Sequence, residues 1–334
     1  MSRFCRHNRF IERCPICRET VPGLASPEPA GRRGRSGSAQ SERASARRSS
    51  PRHARGPKLR VHQERRAEDD GYRSTLAPGL RASQDAEGLA EEIAFADGRL
   101  VAIGMAPPDL YGEIREQEDA EQATWMCFLA AYLSPLESDD PFAGIRRALE
   151  ADWRSGELPD LTEIPLGPRT SHDPARGDAT LRAYLHWAHY VDGQEGAQRE
   201  VFVGDSTWTP QRRFERLFER LRLPGLARMG RYELLVTLGR IGLYELRADS
   251  LHFAGGHGGG EDLATVAAKR LFGIGDPLLL QRRAELLAEA MSVPLEALDL
   301  AFANWGGGER VTLGVPPEVL DRHALERARE ALEL

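Results

Sequence analysis

Residues 223–243, LPGLARMGRYELLVTLGRIGL, place a Leu-Pro-Gly break directly before an apolar stretch laced with arginines. The segment before it starts with Thr209-Pro210, a cap residue followed by a first-turn proline. Phe214, Leu217, Phe218 and Leu221 then recur at i, i+3, i+4 and i+7, which draws one apolar helical face with arginines on the others. The break is therefore a short turn between two helices. It reads either as a device that points backbone N–H groups at a phosphate or as an ordinary helix joint.

Charge favours the first reading. Residues 1–66 carry 17 basic against 5 acidic side chains, and the remainder carries 28 against 46, so a basic tail precedes an acidic body. Within that body, Thr207 to Arg231 holds seven arginines (Arg212, Arg213, Arg216, Arg220, Arg222, Arg228 and Arg231) against Glu215 and Glu219. Phosphate contacts need local positive charge, and it is concentrated at the turn. Lysine occurs only at Lys58 and Lys269, so arginine is the general cation here, as base composition alone would also produce.

Working outward, the spacing predicts a mainly α body over 82–334. Helices are expected over Glu121–Leu133, in FAGIRRALEADWR and DATLRAYLHWAHYVDG, and over Tyr232–Leu238, Asp262–Phe272, Pro277–Met291, Leu295–Trp305 and Pro316–Leu332. SQDAEGLAEEIAFADGRLVAIGM stays open between a helix starting at Ser83 and a hairpin turning at Asp97-Gly98. Residues 21–80, rich in Arg, Ser and Pro, lack the apolar surface to offset ordering entropy and read as a disordered basic linker.

Residues 1–20 hold CRHNRFIERCPIC, in which Cys5, His7, Cys14 and Cys17 have the composition and spacing of a structural Zn2+ knuckle. Metal would supply folding energy that so short a segment lacks. Cys127 lies on an apolar helix and reads as core. The arginine-rich start has no apolar core segment, and the longest uncharged apolar stretch, Gln122 to Leu136, is too short for a bilayer, which predicts a soluble cytoplasmic chain with no membrane partner.

The turn and the helix after it are similar to the helix-hairpin-helix of base-excision DNA glycosylases, with Ala227 where those enzymes carry a second glycine and Gly230 beyond it. In that superfamily a catalytic aspartate follows the second helix, and Asp249 in ADSLHF stands at a comparable place. More broadly, WTPQRRFERLFERLRLPG, GRYELLVTLGRIGLYEL, VAAKRLFGIGDPLLL and LEALDLAFANWG resemble the α-glutamyl/putrescinyl thymine pyrophosphorylase family, clade 3, over roughly residues 82–306.

That resemblance implies a helix-hairpin-helix glycosylase-like fold. It also implies an enzyme that displaces pyrophosphate from pyrophosphorylated 5-hydroxymethyluracil in DNA with an amine or amino acid. The individual roles rest on residue type and position alone. Arg231 is a candidate to stabilise departing pyrophosphate, and Asp249 and His252 are candidates to take the amine proton. Pro224, Gly225, Arg228, Gly230, Arg240, Lys269 and Arg270 are candidates for contacts with DNA and its phosphates, and Asn304 and Trp305 for contacts with an extruded base. A DNA glycosylase and a non-catalytic nucleic-acid-binding protein are the alternatives. The amine donor, a need for Mg2+ and the oligomeric state stay open. His186 and His189 read as a partly buried pair, GGHGGG (255–260) as a flexible loop, and Ser171 and His172 of GPRTSH as too close in sequence for a catalytic triad.

Overall fold

A computed structural model describes residues 67–191, 194–253 and 261–334, all within the unit spanning His62–Leu334. The fold is mainly α. Its helices are α1 (Ser83–Met105), α2 (Leu110–Glu116), α3 (Ala120–Leu133), α4 (Ala143–Ala148), α5 (Ala179–His189), α6 (Gln198–Val203), α7 (Pro210–Arg220), α8 (Arg228–Ile241), α9 (Leu263–Phe272), α10 (Pro277–Met291), α11 (Ala297–Gly307) and α12 (Arg322–Leu332). Two-residue antiparallel strands, β1 (Tyr190–Val191) and β2 (Gln194–Glu195), follow α5.

The long α1 is the axis of one half, with α11, α12 and α8 packed on it and α9 packed on α11. The other half is built on α3, which packs against α4, α6 and α8. Its core is a pile of rings, with Phe128 stacked on Tyr184 at 3.5 Å between centroids and Trp125 beside both. Helix α8 touches α1 and α3 alike, so it is where the two halves meet.

Helix α1 resolves the Asp97-Gly98 ambiguity. No hairpin forms there, and Asp97, Gly98 and Arg99 are buried mid-helix. Gly98 is required by close approach, because a Cβ on it would lie 1.9 Å from the Val319 carbonyl oxygen. Arg99 is tolerated because Glu233 accepts from it at 2.5 Å, and Tyr111 beside it donates to the Leu313 carbonyl at 3.0 Å. Burying a charge is affordable only with such a partner.

Part of the expected linker is ordered. Ser74, Ala77 and Leu80 are buried, the Tyr72 hydroxyl donates to the Leu332 carbonyl, and the Gly79 N–H donates to the Leu271 carbonyl at 2.7 Å. The body therefore begins before residue 82. The Tyr72 and Gly79 bonds tie this stretch to α12 and α9. The remaining linker residues to 66 and the 1–20 segment, with Cys5, His7, Cys14 and Cys17, lie outside the described residues.

Candidate functional site

Helix α7 forms as its sequence dictates. The Thr209 hydroxyl accepts from the Arg212 N–H at 3.2 Å, Pro210 occupies the first turn, and Phe214, Leu217, Phe218 and Leu221 are buried. After Leu221 the chain reverses through Leu223-Pro224-Gly225. Gly225 sits at φ +83°, a left-handed conformation that glycine adopts without cost. The turn is clamped to α5, since the Thr180 hydroxyl donates to the Pro224 carbonyl at 2.9 Å and a Cβ on Gly225 would meet that hydroxyl at 2.1 Å.

Helix α8 starts at once, with Ala227 as its N-cap, a residue whose side chain makes no cap bond. The leading N–H groups of a helix have no intrahelical partner and carry about half a positive charge between them. Most α helices of this chain that begin near an aspartate are capped by it, as Asp119, Asp262, Asp276 and Asp321 do. At α8 the cap position holds alanine, and the Ser171 hydroxyl, buried beside Gly230, has no hydrogen-bond partner.

Phe218 of α7 gathers the polar groups beside this turn. The Arg231 guanidinium lies over its ring at 4.4 Å and donates to its carbonyl at 3.0 Å. Burial and the neighbouring Arg222 push the Arg231 pKa down to about 10. On the same ring the His252 imidazole stacks at 3.9 Å. His252 takes a positive φ of 50°, and its Nε2 atom is buried 3.3 Å from a Glu215 carboxylate oxygen.

Burial, then Arg228, Arg231 and Arg222, lower the His252 pKa to about 4, so the ring is neutral at pH 7. Partial burial, Glu219 and Asp249 raise Glu215 above the usual carboxylate range. A carboxylate poised upward beside arginines has the character of a proton acceptor, and the arginines that of an anion clamp. Glu215 was not singled out from the sequence, where it counts only as one of two acids in an arginine-rich stretch. Its significance needs the loop that carries Asp249 and His252 to fold back over α7.

That loop is held from three sides. The Ala248 N–H donates to Glu296 at 3.2 Å, the Leu251 N–H donates to Gln281 at 2.9 Å, and the Leu251 carbonyl accepts from Arg228 at 2.9 Å. Asp249 is exposed on it. The structure thus brings Arg231, Asp249, His252, Pro224, Gly225 and the start of α8 to one region.

The other expected contact residues do not assemble there. Arg228 is buried, with Nε and Nη2 on Asp262, Nη2 also on Asp299 at 2.6 Å, and Nη1 on Leu251. Its donors are committed to the interior, so it anchors α8 and does not reach solvent. Gly230 is buried under Ser171. Arg240, at the far end of α8, faces Glu296 at 3.4 Å. Lys269 pairs with Glu261, and Arg270 lies over Trp305 at 4.4 Å with Asp85 beyond it. Asn304 bonds Glu92 and both backbone polar groups of Val311, and Trp305 donates to the Asp85 carbonyl at 2.9 Å.

Cys127 is a core residue, its thiol pKa pushed up by burial. His172 bonds the Tyr132 hydroxyl at 2.9 Å, and Ser171 shows no bond to it. Residues 255–260 lie outside the described residues. Among the described residues no group of three or more His, Cys, Asp or Glu side chains is placed to hold a metal ion, and no helix is long and apolar enough to cross a membrane. No family model, curated protein or solved structure matches this chain.

Proposed function

We propose that the chain is a DNA base-modifying transferase that grips the phosphate backbone at the start of α8 and works with the groups gathered on Phe218. The observation that carries this reading is the start of α8, with alanine at its cap position behind the Gly225 turn, beside a Phe218 ring that carries Arg231 and His252, with Glu215 next to His252. Such a turn positions a protein on DNA without reading sequence. The arrangement supports a relationship to helix-hairpin-helix glycosylases and, through the sequence resemblance, to the α-glutamyl/putrescinyl thymine pyrophosphorylases.

In the reaction so inferred, an amine nitrogen attacks the 5-methylene carbon of the modified uracil. The C–N bond forms as the C–O bond to pyrophosphate breaks, Glu215 takes the proton that nitrogen loses, and Arg231 with Arg222 stabilises the departing charge. The neutral His252, stacked on Phe218 with its Nε2 3.3 Å from Glu215, is a positioning residue beside that carboxylate. Zn2+ on Cys5, His7, Cys14 and Cys17 would add a structural unit beside the basic tail, and metal analysis of the full chain against a Cys14→Ser/Cys17→Ser variant tests that part.

The central test is the intact mass of oligonucleotides carrying thymine, uracil, hydroxymethyluracil or its pyrophosphorylated form, incubated with the full chain and a pool of amines. Gain of an amine with loss of pyrophosphate establishes the transferase. Loss of the base assigns a glycosylase, with Asp249 as its carboxylate. Unchanged masses with DNA retained on the protein assign a non-catalytic binding protein.

A further inference from the structure

A cleft of about 680 Å3 opens between the single turn Trp153–Ser155 and the C-terminal half of α5. That volume lies within the roughly 300–1,000 Å3 of small-molecule sites. One wall carries His186 and Tyr190, whose rings pack 4.6 Å apart and are both exposed, Tyr190 to 44%. The other carries Trp153, its indole N–H committed to Gln122 at 2.8 Å, with His189 at 5.7 Å and the Arg154 guanidinium 5.3 Å over the ring.

The chemistry of these walls narrows the occupant. Two histidines without a third ligand do not make a metal site. The Arg154 charge is already met by Asp119, which leaves little to draw a free anion. What the cleft offers is exposed ring faces with imidazole edges able to donate or accept, the complement of a planar heteroaromatic ring.

Its place in the fold adds a direction. Helix α5 also carries Thr180, which holds the Pro224 carbonyl at the hairpin. His186 lies six residues further along, an axial rise of about 9 Å at 1.5 Å per residue and roughly 120° round the helix from Thr180. The cleft and the hairpin contact therefore lie on one helix but on different faces of it.

We propose that this cleft takes an unpaired nucleobase of a nucleic-acid strand, stacked on Tyr190 and His186. The proposal rests on the backbone-gripping reading for the source of the base, and the stacking surface stands on its own geometry.

The test compares three probes on the full chain: an eight-residue oligothymidylate, a strand of equal length built of stable abasic sites, and free thymidine followed by saturation-transfer NMR. Wild type is expected to bind oligothymidylate roughly 5- to 150-fold more tightly than the abasic strand, the effect of stacking a base on an aromatic platform. Tyr190→Ala and His186→Ala, both at exposed positions, are expected to remove that preference and the thymidine signal while leaving abasic-strand affinity unchanged. Arg222→Gln is expected to weaken both strands alike. Equal binding of the two strands by wild type with no thymidine signal overturns the base site and leaves the backbone reading standing. Thymidine binding lost in Tyr190→Ala, with neither strand bound, does the reverse. A base preference that survives in the Tyr190→Ala/His186→Ala double variant also overturns the proposal.

Discussion

Asp299→Asn removes one charge from the interior with almost no change of volume. In the native protein the carboxylate bridges two buried guanidiniums, accepting from Arg228 Nη2 at 2.6 Å and from Arg169 Nη2 at 3.0 Å. Arg228 keeps Asp262, but among the described residues Arg169 has no other ion pair, and its Nη1 lacks a hydrogen-bond partner there. With Arg99 and Glu233 nearby, three cations face three anions; the substitution leaves the cluster one positive charge in excess. Breaking a buried pair by removing one partner costs about 3–5 kcal/mol. The new amide oxygen still accepts one bond, so the lower end applies, about 3 kcal/mol.

At roughly 2–4 °C per kcal/mol for a body of this size, Tm should fall by about 6–12 °C in circular-dichroism melts at pH 7. Because the cluster is shielded from solvent, 0.5 M salt should change that difference little. Arg169→Met in the Asp299→Asn background restores the charge balance and should recover part of the lost Tm. If the double variant is instead as unstable as the sum of the single variants, within about 0.5 kcal/mol, the charges are not coupled and the reasoning fails.

Two glycines of α1 should respond in opposite directions to alanine. Gly98→Ala drives a methyl into the Val319 carbonyl at 1.9 Å and should lower stability by roughly 1–3 kcal/mol, whereas Gly104, with its nearest neighbour at 3.8 Å, should gain up to about 1 kcal/mol from helix propensity; melts of both settle it. The His252 imidazole titrates near 6.5 when unfolded and about 4 when folded, so the unfolded chain binds more protons between those values. Its contribution is complete above pH 6.5 and falls away, by up to about 3 kcal/mol, as pH drops to 4. Denaturant titrations from pH 7 to 4 should show a shallower loss for His252→Asn, which tolerates the positive φ, than for wild type. Finally, Arg222→Gln and Arg231→Gln should each lower the slope of log affinity for duplex DNA against log salt by about 0.9; an unchanged slope in both removes the hairpin from the DNA interface.

The helices were legible where local rules were strong. Thr209-Pro210 fixed the start of α7, the i, i+3, i+4 spacing of Phe214, Leu217 and Phe218 fixed its buried face, and Pro277 marked the first residue of α10. Asp97-Gly98 was ambiguous because a turn signal and a helix–turn contact use the same glycine, and only the approach of Val319 from far along the chain distinguishes them. The site was legible in part for the same reason. Arg231, Asp249 and His252 share a region through Phe218, a contact between α7 and a loop beyond α8 that no spacing encodes. Arg228 looked like its neighbour Arg231, and what separates them is the pair Asp262 and Asp299, 34 and 71 residues downstream.

That separation also explains how an acidic body can present a positive hairpin. Asp262 caps α9 through the Thr265 N–H at 3.1 Å and receives Arg228 through both oxygens. Burial disfavours its charge, but Arg228 more than offsets this and holds Asp262 below the usual carboxylate range. Asp299 is neutralised between Arg228 and Arg169. Both acids that meet Arg228, the first residue of α8, are thereby paired. The groups left there are Arg231, Arg222 with Glu219 beside it at 2.8 Å, the exposed Asp249 and the helix N-terminus, with Glu215 next to His252. On this account Arg228 serves the site by what it hides. Removing it would expose two carboxylates to the very turn whose positive potential the proposed function requires.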